Sequence, residues 1–242
     1  MSVDDDHGPL VHQLLDYKYG GLMSVLFSNH MSPTHEDEIV EKLPDVYYIN
    51  LAHREDRNAH ILEQLGNIDY PSSRIHRIDA IPHEDGATGC GLSHIKALEL
   101  AQKDHANDND FVLVLEDDFT WLHDKRKTLN TLGRAFEHEN WNVILLSCNG
   151  RTRKYNAHLS RVRDCQTTSA YIVRIGYIPN LLEIWKRDMQ HRESSKRYEG
   201  KTCIDISWKR LQRNQWFLTK PKLGYQIASY SDIEKGQVDY RV

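Results

Sequence analysis

The segment Phe111-Val112-Leu113-Val114-Leu115-Glu116-Asp117-Asp118 runs five apolar residues straight into three carboxylates. A short run rich in valine and leucine reads as a strand covered on both faces. Ionised side chains do not belong inside a sheet. They lie where the strand emerges, at the C-terminal edge where open α/β sheets bind ligands. In extended geometry Glu116 and Asp118 share one side and Asp117 takes the other. Two oxygen donors on one side suit a hard divalent cation and a phosphate-bearing ligand. A solvated acidic loop after a core strand has the same spacing, so the flanking sequence has to separate the two.

Working outward, Val46 to Leu51 is a β-branched and aromatic run, a first strand. A helix follows with Ile61, Leu62 and Leu65 on one face and a stop at Gly66. Arg74 to Ile81 alternates as a second strand ending near Asp79. Gly86 to Gly91 reads as a glycine-rich turn, with Ser93 capping a helix that carries Ile95, Leu98 and Ala101. Beyond the acidic strand, Thr128 to Phe136 is helical and Trp141 to Cys148 is a fourth strand. Residues 149–164 read as a polar loop over the site, and Thr167 to Ile175 as a fifth strand. Pro179 opens a helix with Leu181, Leu182 and Trp185. Asp205 to Leu211 is a short helix, and Lys222 to Ala228 a last strand or tail. This alternation predicts a single α/β domain over residues 45–242, its mostly parallel sheet flanked by helices. Residues 1–44 differ in texture, with Asp4-Asp5-Asp6, Gly20-Gly21 and Pro33, and read as an N-terminal extension. Within it, Val11 to Leu15 and Leu22 to Phe27 suit a short helix or hairpin.

At 242 residues, with 39% hydrophobic and 27% charged residues, the chain has an ordinary globular composition. A net charge of -4 gives no nucleic-acid footprint. The four cysteines, at 90, 148, 165 and 203, lack C-x-x-C spacing and read as buried free thiols. The first apolar cluster is interrupted by Asp16 and Lys18, so no signal peptide is visible. No run approaches the roughly 18 apolar residues of a membrane span. A reducing, cytoplasmic location is the expectation.

Several motifs share one order: Asn50-Leu51-x-x-Arg54-x-x-Arg57, Gly89-Cys90-x-Leu92-Ser93-His94, Leu115-Glu116-Asp117-Asp118, Thr168 to Ile172 and Cys203-Ile204-Asp205. Together they resemble glycosyltransferase family 25, the lipopolysaccharide-biosynthesis and procollagen galactosyltransferase group. The resemblance implies a GT-A type, Rossmann-like fold, a UDP-sugar donor, a manganese-type (or magnesium) ion and inversion at the anomeric carbon. Galactose and glucose are the family's common donor sugars. Glycan, lipid-linked and protein hydroxyls are all open as acceptors.

The chemistry fits the residues. A metal held by carboxylates neutralises the departing diphosphate, with Glu116 and Asp118 as ligands and Asp117 toward ribose or donor sugar. Asn50 and Leu51, opening the first motif, fall with Arg54 and Arg57 on the donor side. The two arginines can meet diphosphate or uracil. Asp79 can bind uracil or ribose. His94 can contact donor phosphate or set the metal site. An inverting displacement needs a base, and Asp205 is the candidate; a plain helix N-cap is its alternative. Two rivals stand beside this reading. Glu116-Asp117-Asp118-Phe119-Thr120 comes close to the Asp-x-Asp-x-Thr signature of haloacid-dehalogenase phosphatases, though with Glu at the nucleophile position and in mid-chain. A catalytically inactive sugar- or nucleotide-binding protein is the other.

Overall fold

The computed structural model describes residues 34–196, 199–227, 229–231 and 236–238. The readings made for Val11 to Leu15 and Leu22 to Phe27 lie outside them. In chain order the elements are α1 (His35–Val40), β1 (Asp45–Asn50), α2 (Glu55–Gly66), β2 (Ile75–Asp79), α3 (Gly86–Asp104), β3 (Phe111–Glu116) and β4 (Phe119–Trp121). Then follow α4 (Lys125–Phe136), β5 (Val143–Leu145), β6 (Asn149–Lys154), β7 (Leu159–Gln166), β8 (Ala170–Arg174), α5 (Ile178–Ser195) and α6 (Ile204–Ser207). Four short strands close the chain: β9 (Trp216–Thr219), β10 (Gly224–Gln226), β11 (Ser229–Ser231) and β12 (Gly236–Val238).

An eight-stranded sheet runs in the order β2-β1-β3-β8-β5-β9-β7-β6. It is mixed: β2, β1 and β3 are parallel, as are β5 and β9, whereas β8 runs antiparallel between β3 and β5. Alternate side chains of β3 enter opposite cores. Val112 and Val114 pack with Ile95, Leu98, Leu181 and Trp185 of α3 and α5. Leu113 and Leu115 pack with Ile39, Ile61, Leu65, Leu129 and Leu132 of α1, α2 and α4. Each such side chain contributes about 1.5–3 kcal/mol on burial, so covering both faces fixes β3 at the centre. The chain from Glu36 onward clusters as one unit. Arg74 Nη1 donates to the carbonyls of Val40, Glu41 and Leu43 at 3.2, 3.0 and 2.6 Å.

Five local expectations are corrected. Gly86 to Gly91 is not a turn but the start of α3, capped by Asp85, whose carboxylate accepts from the Thr88 N–H at 2.9 Å. Ser93 lies inside that helix and donates to the Gly89 carbonyl at 2.6 Å. The glycines serve close packing: a Cβ on Gly89 would stand 2.6 Å from the Ile81 carbonyl oxygen. Leu62 is 42% exposed, off the buried face of α2. Residues 149–164 form no loop: β6 and β7 pair antiparallel, with β6 at the sheet edge and exposed throughout. Cys148 and Cys165 are joined as a disulfide, so only Cys90 and Cys203 are free. The bridge spans 17 residues, a loop whose closure is worth about 3 kcal/mol on the chain-entropy model. A reducing compartment, argued from free thiols, loses that support. Among the described residues, no helix is long and apolar enough to cross a membrane.

Arg192, near the end of α5 and 1% exposed, ties distant segments together. It pairs with Asp85 at 2.6 Å and donates to the Thr88 hydroxyl at 2.9 Å. It also donates to the Glu199 carbonyl and the Thr202 hydroxyl, both at 2.8 Å.

Gly89→Ala is expected to lower stability by about 1–3 kcal/mol, since backbone oxygen cannot yield cheaply. Gly66→Ala, with nothing within 4 Å of the added carbon, should instead stabilise α2 by about 0.5–1 kcal/mol. Urea unfolding of the two variants checks the contrast.

Candidate active site

β3 ends at Glu116, and Asp117 and Asp118 form a turn into β4. The pleat rule therefore stops applying after Glu116. Asp117 does not face away, as strand alternation predicts. All three carboxylates line one cavity of about 310 Å³, with Arg57, His94, Cys90 and Gln226. Part of its lining is an apolar wall that includes Ile49, Leu51, Ala80, Ile81 and Pro82.

Each carboxylate has its own support. Glu116 Oε1 accepts from the Thr168 hydroxyl at 2.7 Å and lies 3.3 Å from His94 Nε2. Its Oε2 accepts from the Gln226 amide at 3.1 Å. The same amide donates to Asp118 Oδ1 at 3.2 Å. Asp117 accepts from Asn50 Nδ2 at 2.8 Å and from Arg57 at 3.1 Å, and Arg57 also stands 3.3 Å from Asp118 Oδ2. His94 is buried, its Nδ1 3.0 Å from the Tyr171 hydroxyl and its ring stacked on that of Tyr171.

Three acids in a buried pocket with one arginine leave a surplus of negative charge. Burial, then the charge of Glu116, push the Asp118 carboxyl up to about 7, against the pull of Arg57. Asp117 is also raised, chiefly by burial. Burial raises Glu116 too, but the hydrogen bond and charge of His94, with Thr168 and Arg57, outweigh it and hold this acid below its usual range. A low-pKa and a high-pKa acid sharing one amide mark a place where added positive charge is stabilised. Glu116 and Asp118 offer oxygen donors only, so they fit a hard divalent cation.

The predicted residues divide. Leu51, Arg57, His94, Glu116, Asp117 and Asp118 line the cavity. Asn50 lies behind it, linking Asp117 to the Arg54 carbonyl and accepting from Arg77. Arg54 pairs with Asp56 through two bonds of 3.0 and 2.9 Å, and does not line the cavity. Neither does Asp79, whose side chain is 69% exposed and paired with Arg77. Asp205 sits in the first turn of α6 and accepts from the Thr167 N–H at 3.3 Å, also outside the lining. Burial raises its pKa, and the charge of Glu116 adds to that. Gln226, Thr168 and Tyr171 complete the site. Thr168 and Tyr171 fall in a recognised motif, whereas Gln226 carries no sequence signal. Cys90 stands one helical turn before His94, a spacing visible in the sequence.

No family model and no curated protein matches this chain. Among solved structures it is similar to a glycosyltransferase involved in glycosylation of the major capsid of PBCV-1. That match has 12% identity, a TM-score of 0.46, and covers 80% of this chain and 96% of that one. It is also similar to the glycosyltransferase GlyE of Streptococcus pneumoniae, at 12% identity and TM-score 0.40, over 72% of this chain and 45% of that one. A UDP-glucose pyrophosphorylase complexed with UDP-glucose matches at 11% identity and TM-score 0.43, over 79% and 77% of the two chains. Likeness at this level is one of general architecture.

The folded pKa of Asp118 lies above its unfolded value, so the penalty of ionising it is absent below pH 3.8 and complete above about 7. Asp118→Asn removes that penalty. Without divalent cations, its melting temperature should gain on the wild type by several degrees between pH 5 and pH 8. Calorimetry at the two pH values reads this directly.

Proposed function

We propose that the protein is a glycosyltransferase that moves a hexose, galactose or glucose, from a UDP-sugar to a hydroxyl of a glycan, lipid-linked or protein acceptor. The observation that carries this reading is the convergence of Glu116, Asp117 and Asp118 on one cavity, with Asp118 raised to about 7 by burial and its neighbour's charge. Glu116 and Asp118 would hold a manganese- or magnesium-class cation. When bound, such an ion supplies Lewis-acid neutralisation of the diphosphate leaving group.

The chain's own residues do the rest. His94 and Thr168 orient Glu116 by bonding one of its oxygens. Gln226 sets the spacing of Glu116 and Asp118 by donating to both. Asp117, fixed by Asn50 and Arg57, accepts from a ribose or sugar hydroxyl. Arg57 meets the anionic end of the donor while still bonded to Asp117. The apolar wall from Ile49 to Pro82 packs the uracil and excludes water. Asp205, which lies outside the cavity lining, takes the proton of an acceptor hydroxyl that approaches from its side in an inverting displacement. Its burial moves its pKa toward working pH, which favours a general base.

With manganese and a panel of UDP-sugars, the protein should release UDP slowly from one of them without acceptor, and stop on adding a chelator. Asp118→Ala should abolish that release while circular dichroism stays unchanged. Full activity in that variant removes the metal role. Asp205→Asn should keep donor binding but lower transfer by about 10²–10⁴-fold, measured with the acceptor found. Cleavage of a generic phosphomonoester instead would favour the phosphatase reading.

A further inference from the structure

Cys90 and His94 stand one turn apart on α3, so their side chains share a face. Glu116 leaves β3 opposite them. A ligand atom of each, the Cys90 sulfur among them, lies within 4.8 Å of the other two. His94 Nε2 and Glu116 Oε1 are 3.3 Å apart. Nitrogen and oxygen ligands at about 2.0–2.1 Å from a tetrahedral ion are themselves separated by about 3.3–3.4 Å. The outer partners are also in place. Tyr171 faces His94 Nδ1, which can leave the Nε2 lone pair for an ion, and Thr168 bonds the same oxygen of Glu116. All three residues line the cavity, so an ion has a way in and room for a further ligand.

We propose that Cys90, His94 and Glu116 form a second cation site, selective for a soft divalent ion of the zinc class. Thiolate and imidazole favour zinc over magnesium or manganese. Binding forms a metal–sulfur bond and releases the thiol proton to solvent. The two sites meet at one side chain. Glu116 turns Oε1 toward His94 and Oε2 toward the Gln226 amide shared with Asp118. Zinc on the first oxygen withdraws charge from the second, so it opposes the hard cation and inhibits transfer. The inhibition rests on the function proposed above; the binding does not.

Cobalt(II) is the probe, since it replaces zinc and reports a thiolate ligand by a near-ultraviolet charge-transfer band. One equivalent should produce that band with tetrahedral visible absorption, and zinc should bleach both. Cys90→Ser should lose the charge-transfer band. Cys203→Ser, which removes the other free thiol, should retain it. His94→Gln should weaken cobalt binding at least tenfold, and covers the case in which Cys90→Ser fails to fold. No thiolate band in the folded wild type, a band surviving Cys90→Ser, or a band lost with Cys203→Ser each overturns the site. In the turnover assay, zinc should inhibit manganese-dependent UDP release, and Cys90→Ser should blunt that inhibition. A thiolate band without turnover on any donor sinks the glycosyltransferase reading and leaves the site standing; turnover without the band does the reverse.

Discussion

Glu116 and Asp118 repel each other where burial leaves little water to screen them, and much of the site is arranged around that repulsion. Left alone, two buried carboxylates would share a proton or spring apart. Here they are held by an amide between them, an arginine against Asp118, and a histidine and a threonine on the far oxygen of Glu116. These partners offset only part of the negative charge, and Asp118 stays raised despite Arg57. On the proposed function, a cation, or a nucleoside diphosphate carried on a divalent ion, would supply the positive charge that these carboxylates lack.

The fold makes this possible by fixing β3 from both faces. Valines on one side and leucines on the other leave the strand no freedom to slide. A slip of one residue would exchange the two cores. The end of β3 is thus a rigid platform, and the parallel neighbours β1 and β2 end beside it. The antiparallel β8 starts there too, which brings Thr168 and Ser169 against Glu116. The mixed sheet therefore supplies the site from strands running in both directions.

Most of the framework was legible because buried strands and helices announce themselves by apolar period. β1, β2, β3 and β8, and α2 to α5, all follow from such patterns. β6 was not legible, since Asn149 to Lys154 is exposed at every position and its pairing is made through backbone alone. β4 is too short to show a period and follows the carboxylates directly. The start of α3 is hidden in the sequence because glycine normally breaks helices, whereas here Gly89 and Gly91 admit Ile81 and Met189 into contact. At the site, Glu116 and Asp118 could be read from their place after an apolar run. Gln226 could not: it acts 110 positions away in sequence from Glu116, and a lone glutamine has no spacing rule. Asp117 was misdirected because alternation holds only while the strand continues.

Arg192 has a wider reach than its place far along α5 implies. Its guanidinium holds the cap of α3 on one side and the approach to α6 on the other. Cutting a buried ion pair from one end costs about 3–5 kcal/mol, so these two stretches cannot loosen separately. The helix bearing Cys90 and His94 and the helix bearing Asp205 are in effect buckled by a single clasp. Adjusting the chain around residue 192 would shift the helix that carries Cys90 and His94 and the helix that carries Asp205 together, without touching any group that lines the cavity.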